Sequence, residues 1–301
     1  MEKSVNEIIS DFLDVQDVNE LSKKEYTAVI NHFKRWIVVN KLEFWKLKRA
    51  DILQYKCDMI ARGMSTYTIA LYLTLVRKLF SYLEMEGLRD DNIAAGVKAP
   101  KKDRLFRKLY LAKDKAATLL DSIDDSTIIG KRDKAIISLM IRTGVRRVEV
   151  CRMRIADIDV GGGSIAIQRK GRVDKSSKVA LPSKAMMAIN DYIVARGEVK
   201  ESDYLFVNHG KGYTSKYMTD YSVSRMVKRR LSHIGIVDNR LTCHSLRHTA
   251  AILALKAGAS IYDVQQMLGH TSIETTRIYL RAIDTEKSLD NAAIKLLDDM
   301  F

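Results

Sequence analysis

Only two prolines, Pro100 and Pro182, interrupt the 301 residues. Proline lacks an amide donor and clashes with a helical backbone, so a chain this poor in it can run in helices almost everywhere else. Both prolines fall where the helical pattern has already broken. Pro100 lies in "GVKAPKKDRLFRK", a stretch of glycine, proline and charge with no helical apolar repeat, which reads as a linker between domains. Pro182 closes the second of two short strands, "SIAIQ" and "SKVAL", set around a polar turn and preceded by the glycine turn "GGG". The predicted architecture is mainly α with a small antiparallel β-sheet. A helical domain spans 1–97, a basic linker 98–108, and a mixed α/β domain 109–301, with one more helix at about 285–300.

Before the linker the helix signals are dense. Ser22 and Glu25 have capping-box spacing, and Tyr26, Val29, Ile30, Phe33 and Ile37 follow at helical intervals. Gly63 and Gly87 read as C-terminal stops, with Ser65 opening the helix between them. Together with an acidic, amphipathic first helix, these make four or five short helices, enough for one small bundle. Near the C-terminus, Thr271 and Glu274 predict another capped helix, with Gly269 and His270 in the turn before it and Tyr279 on its far side. The final stretch carries Leu289, Ala292, Ala293, Leu296, Leu297 and Met300 as an apolar stripe.

Charge says what such a chain meets. The net is +14, yet the first 20 residues sum to −5 and the last 20 to −3, so the excess of base lies in the body of the chain. Basic bodies joined by a basic connector suit a polyanion. Within the connector, Lys101, Lys102, Arg104, Arg107 and Lys108 are placed as a segment crossing a phosphate backbone would need them. An ordinary solvated linker would have the same composition. No apolar run reaches the length of a membrane span, and the N-terminus lacks the layout of a secretion signal. Cys57, Cys151 and Cys243 are odd in number and scattered, which fits a reducing cytosol without disulfides or a zinc site. No Walker loop for ATP is present, and no metal or other cofactor is expected.

Four places hold residues able to do chemistry. "IRTGVRRVEV" places Arg146 and Arg147 just after a glycine turn, with Glu149 beyond them. "QRKGRVDKSSK" sets Lys170 at the mouth of a hairpin, beside Arg169, Arg172 and Lys175. "TCHSLRHT" spaces His244 and Arg247 so that they share a helical face, and the C-terminal stretch adds His270 and Tyr279. Singly, each has an ordinary explanation as a turn, a solvated lysine, a capping pair or a packed tyrosine. As a set, arginines, a lysine, histidines and a tyrosine suit attack on a phosphodiester. Arginine forks match the non-bridging oxygens, lysine or histidine protonates the leaving oxygen, and a phenol serves as nucleophile.

In order and spacing these motifs resemble the tyrosine recombinases, also called the phage integrase family. T-G-x-R-x-x-E appears as Thr143, Gly144, Arg146 and Glu149, and H-x-x-R as His244 and Arg247. The L-G-H…T…Y motif appears as Leu268, Gly269, His270, Thr275 or Thr276, and Tyr279. The resemblance covers nearly the whole chain and fits the simpler, Xer-like members. It implies a SAM-like core-binding domain followed by a catalytic domain. In that frame Tyr279 attacks the scissile phosphate, leaving a 3′-phosphotyrosyl link and a free 5′-hydroxyl. Arg146 and Arg247 bind the non-bridging oxygens, Lys170 is the general acid, His244 assists proton transfer, His270 hydrogen-bonds the phosphate, and Glu149 orients its neighbours. Arg146 is preferred over Arg147 by motif register, and Arg169, Arg172 and Lys175 are possible substitutes for Lys170.

The resemblance further implies a cytoplasmic, nucleoid-associated enzyme of bacterial, archaeal or mobile-element origin. It would act on a double-stranded recombination site as a homo-tetramer, being a monomer or weak dimer off DNA, with its tail helix docked on a neighbouring protomer. Two alternatives stay open. One is a non-catalytic DNA-binding regulator, since "HTAAILALKAGASIYDVQQMLGH" has a helix-turn-helix look with Ser260 capping its second helix. The other is an enzyme like the type IB topoisomerases.

Overall fold

The computed structural model describes residues 4–101, 109–169, 172, 174–209, 217–289 and 300, with the side chains of residues 21 and 285–289 outside that description. The chain divides into two compact units, Met1–Arg104 and Leu105–Phe301. Among the described residues no helix is long and apolar enough to cross a membrane.

The first unit is made of α1 (Val5–Asp14), α2 (Glu20–Val39), α3 (Arg49–Ala61) and α4 (Thr66–Met85). Ser4 and Glu7 cap α1 reciprocally, and Ser65 caps α4. The start of α2 differs from expectation. Asn19 is its N-cap, accepting from the Ser22 amide, and the helix begins at Glu20, two residues before Ser22. Asn19 holds the extended backbone that a cap requires, whereas Ser22 is already helical. Gly63 and Gly87, both at positive φ, follow the last turns of α3 and α4. The helices close on an aromatic centre of Phe12, Phe33, Tyr55 and Phe80, all fully buried, each such ring worth about 1.5–3 kcal/mol in apolar burial. Trp36 lies at the edge of this centre and donates its indole N–H to Asp58 at 2.7 Å.

The second unit is mixed. Helices α5 (Lys113–Asp121), α6 (Ile128–Thr143) and α7 (Arg147–Arg152) lead into β1 (Ile158–Asp159), β2 (Ser164–Ile167) and β3 (Ser177–Ala180). The sheet is antiparallel in the order β1-β2-β3, with Ile158 opposite Ile165 and Ile165 opposite Val179. The glycine turn therefore links β1 to β2, giving one strand more than the sequence suggested. Then come α8 (Ser183–Arg196), α9 (Asp220–His233), α10 (Cys243–Lys256), α11 (Ile261–Leu268) and α12 (Ile273–Leu289). Helix α6 is central: Ala135, Ile136, Ile137, Leu139 and Met140 are buried, and it packs on α8 and α10. Next to them, Asp133 is wholly buried and accepts from Arg132 and Arg230, tying α6 to α9.

The C-terminal helices form their own small core from Ala251, Ile252, Val264, Leu268, Tyr279 and Ala282. Ser260 and Asp263 cap α11 reciprocally. The cap of α12 again sits off the predicted residue: the Glu274 amide donates to Ser272 Oγ, and the helix starts at Ile273, so Thr271 lies outside it. Helix α12 continues to Leu289, into the stretch read as a separate tail helix, and residues 290–299 of that stretch lie outside the described residues.

Candidate active site

The site grows out of two glycine turns. Gly144 ends α6 in the left-handed region at φ 65°, and Gly269 ends α11 at φ 63°. A Cβ on Gly144 would come within 2.6 Å of Leu268 Cδ2, so the first turn can lie this close to the second only as glycine. Their carbonyls are tied together by one side chain. Arg247, buried within α10, donates from Nη1 to the Gly144 oxygen at 2.5 Å and from Nη2 to the Leu268 oxygen at 2.7 Å. The two turns present Arg146 and His270.

Arg146 stands at the N-cap of α7. Its amide and its Nη1 both donate to the Glu149 carboxylate, at 2.7 and 3.0 Å. Glu149 is entirely buried, so it fixes the guanidinium as well as the helix start. The neighbouring Arg147 points elsewhere, gripping Asp220 of α9 through Nε at 2.7 Å and Nη2 at 2.5 Å. These bonds commit Arg147 to the α7–α9 contact and leave Arg146 facing the cavity.

His270 lies between two partners. Its Nε2 is 3.0 Å from Arg247 Nη2 and its Nδ1 is 2.9 Å from Thr276 Oγ1. A guanidinium can only donate, so Nε2 accepts and Nδ1 carries the proton toward the threonine. Burial, together with Arg247, Arg146 and Arg169, lowers the His270 pKa to about 4, so the ring is neutral at physiological pH. Burial first, and then Arg146, bring Arg247 down to about 10, which still leaves it charged.

Tyr279 reaches the same neighbourhood from α12. It is 2% exposed, and its ring lies parallel to that of His270 with centroids 6.5 Å apart. Its hydroxyl is 3.0 Å from Nδ1 of His248, a buried residue of α10. Burial raises the phenol pKa, while Arg247 and Arg146 pull it back.

A cleft of about 620 Å³ opens over the site, lined by Arg146, Arg169, Arg172, Lys178, Gly269 and His270 among others. Tyr279 and Arg247 lie behind this lining, not in it. The structure thus gathers Arg146, Glu149, Arg247, His270 and Tyr279. His244 is exposed on the first turn of α10, one turn ahead of Arg247. Lys170 lies outside the described residues, as do Lys102, Arg104, Arg107 and Lys108, while Lys101 is exposed. Of the substitutes considered for Lys170, Arg169 and Arg172 line the cleft, and Lys175 pairs with Asp157 at 2.5 Å.

Sequence reasoning passed over His248 and left the motif threonine open between Thr275 and Thr276, of which Thr276 is the one bonded to His270. His248 had a usable signal, since residues 244, 247 and 248 share one helical face. The cluster is a cationic pocket suited to hold a phosphate diester, with a phenol behind its lining.

Residues 110–286 match the phage integrase family model, and residues 11–87 match that of the phage integrase N-terminal SAM-like domain. Tyrosine recombinase XerC of Thermodesulfovibrio yellowstonii is 30% identical over 259 residues, 84% of this chain and 83% of that protein. Tyrosine recombinase XerD of Listeria monocytogenes is 29% identical over 287 residues, 91% of this chain and 94% of the other. Among solved structures, XerH site-specific recombinase bound to palindromic difH substrate, a post-cleavage complex, has a TM-score of 0.73 at 19% identity, covering 96% of this chain and 85% of its own. A lambda integrase(75–356) dimer bound to a COC′ core site gives 0.71 at 17% identity, covering 92% and 95%. These last two show the shared fold. The chain therefore belongs to the phage integrase family, the tyrosine recombinases.

Proposed function

We propose that this protein is a site-specific DNA recombinase that cuts and rejoins strands through a covalent tyrosine link. The observation that carries the reading is the cluster of Arg146, Arg247 and neutral His270, fixed by Glu149, with Tyr279 packed directly against it. In the step proposed, the Tyr279 oxygen bonds to phosphorus as the bond to the 5′-oxygen breaks. The phenolic proton passes by way of His244, and Lys170 protonates the departing 5′-oxygen. Charge gathering on the non-bridging oxygens is met by the two guanidinium groups and by a hydrogen bond from His270, whose ring proton moves from Nδ1 to Nε2 as the phosphate takes the place of Arg247 there and the Thr276 hydroxyl turns to donate to Nδ1. Because the 3′-phosphotyrosyl bond keeps the energy of the original diester, a 5′-hydroxyl from a partner strand reseals it with no ATP and no metal. Two such exchanges pass through a Holliday junction, which calls for four protomers on two duplexes, with the tail helix docked on a neighbour.

Within this reading the helical unit and the basic segment beyond it, from Lys101 through Lys102, Arg104, Arg107 and Lys108, contact phosphates, while the second unit does the chemistry. Relatives named tyrosine recombinases and the likeness to recombinase–DNA complexes support it.

The test begins by selecting the bound sequence from a random duplex library. A suicide duplex carrying that sequence, nicked near the cleavage point, is then incubated with the protein in EDTA and denatured. A covalent adduct is expected from the wild type and none from Tyr279→Phe. An adduct that survives Tyr279→Phe reassigns the nucleophile, and specific binding without any adduct makes the protein a DNA-binding regulator.

A further inference from the structure

Arg169, two residues past the end of β2, enters the pocket as a third guanidinium. Its Nη1 donates to the Leu268 carbonyl oxygen at 3.1 Å, the same oxygen that accepts from Arg247. That Nη1 also lies 3.8 Å from Glu149 Oε1, the atom that Arg146 holds at 3.0 Å. The guanidinium rests on Gly269, where an added Cβ would come within 2.4 Å of Arg169 Cζ. Only 11% of the side chain is exposed, although it borders the cleft.

Burying an arginine beside two others is costly, and its own pKa is lowered by that burial. Something in the working site must justify it. Counting charges supplies the reason. With His270 neutral, and leaving aside Arg172 and Lys178 farther along the cleft lining, the linked group of Arg146, Arg169, Arg247 and Glu149 sums to +2. A phosphodiester carries one negative charge, and the five-coordinate transition state of its cleavage approaches two. Without Arg169 the sum falls to +1, and the Glu149 carboxylate rests on Arg146 alone.

We propose that Arg169 is a positioning residue for strand cleavage, taking a share of the Glu149 charge from Arg146 and pinning the Leu268 turn that presents His270. The proposal rests on the recombinase reading above, and it adds a residue that the family motifs in this sequence do not include. Arg169 acts through Glu149 and Leu268, so its effect follows the charge of the scissile group.

The experiment uses the full chain with Arg169→Met and Arg169→Lys, melting temperature serving as the check on folding. The probe is the selected suicide duplex in two forms, one with an ordinary scissile phosphate and one with an uncharged methylphosphonate there. On phosphate, Arg169→Met is expected to slow adduct formation on the order of 10²-fold while DNA binding stays within about threefold. Arg169→Lys, which keeps the charge but loses the two-sided contact, is expected to fall between. Adding Glu149→Gln to Arg169→Met removes the unshared negative charge and should recover about tenfold. On methylphosphonate the gap between wild type and Arg169→Met should shrink to a few-fold. An equal gap on both substrates, with no recovery from Glu149→Gln, would make Arg169 a structural strut and overturn the proposal. So would an unimpaired Arg169→Met beside an active wild type, which leaves the recombinase reading standing. A wild type that binds the duplex yet forms no adduct takes down that reading and this inference with it.

Discussion

The Tyr279 hydroxyl lies 3.0 Å from His248 Nδ1, both residues buried and the tyrosine behind the cleft that Arg146 and His270 border. A nucleophile held there cannot meet a phosphate in that cleft until the bond to His248 is given up. A buried hydrogen bond of this kind contributes about 0.5–1.5 kcal/mol, and leaving one partner unsatisfied costs more. Protein without DNA is therefore expected to show a coupling of about 1 kcal/mol between His248→Phe and Tyr279→Phe in a double-mutant cycle read by urea unfolding. Additive effects would mean that the two groups do not hold each other. In the same protein, His248→Ala should raise the nitration of Tyr279 by tetranitromethane, mapped by mass spectrometry.

The pocket also sets a pH response. His270 has its pKa lowered to about 4 by burial and by three arginines, against 6.5 in an open chain. The unfolded chain thus binds a proton that the folded one refuses between those values, and stability must fall as pH drops from about 6.5 toward 4. His32 and His209 are lowered by burial too and push the same way. His270→Gln should make the plot of unfolding free energy against pH shallower in that window without removing the slope entirely. An unchanged slope would show that His270 titrates alike in the folded and unfolded chains, with no burial penalty on its charged form.

Much of this was open to reading in the sequence, and what was hidden was hidden for a physical reason. Arg146 could be preferred over Arg147 by the register of T-G-x-R-x-x-E, and the structure supplies a local reason for that register: the Glu149 carboxylate both caps α7 and pairs with the Arg146 guanidinium. Helix ends were mislocated at Asn19 and Ser272 because several neighbouring side chains could cap, and backbone conformation decides among them. Arg169 entered only as a stand-in for Lys170. Its partner Leu268 is 99 positions away, and no local pattern records such a contact. The same holds for His248 and Tyr279, 31 positions apart.

The two adjacent arginines should separate cleanly in the test tube. The Arg147–Asp220 pair is partly exposed, with side chains 32% and 50% open, and such pairs are worth about 0–1 kcal/mol. Arg147→Ala is expected to lower the melting temperature by a few degrees at most and to leave adduct formation within a few-fold of wild type. Arg146→Ala should retain its fold and bind the duplex, while adduct formation falls by about two to three orders of magnitude. The reverse pattern would shift the motif register by one residue.

Asp133 tests what holds the second unit together. It is wholly buried and accepts from Arg132 at 2.6 Å and from Arg230 at 2.7 Å, and Arg132 also donates to the Val207 carbonyl. Removing the carboxylate strands two guanidinium groups in a site built around their counter-charge. The cost of breaking such a pair from one side is about 3–5 kcal/mol. Asp133→Ala is expected to lose that much in urea unfolding, enough to empty much of the folded population of a marginal domain. Arg230→Met should cost less, because Arg132 continues to serve the carboxylate. Taking Asp133 and both arginines to apolar residues of similar volume should restore most of the loss, since the ions and their desolvation leave together. If the triple variant remains as unstable as Asp133→Ala, the cluster contributes specific geometry to the α6–α9 junction and not merely balanced charge.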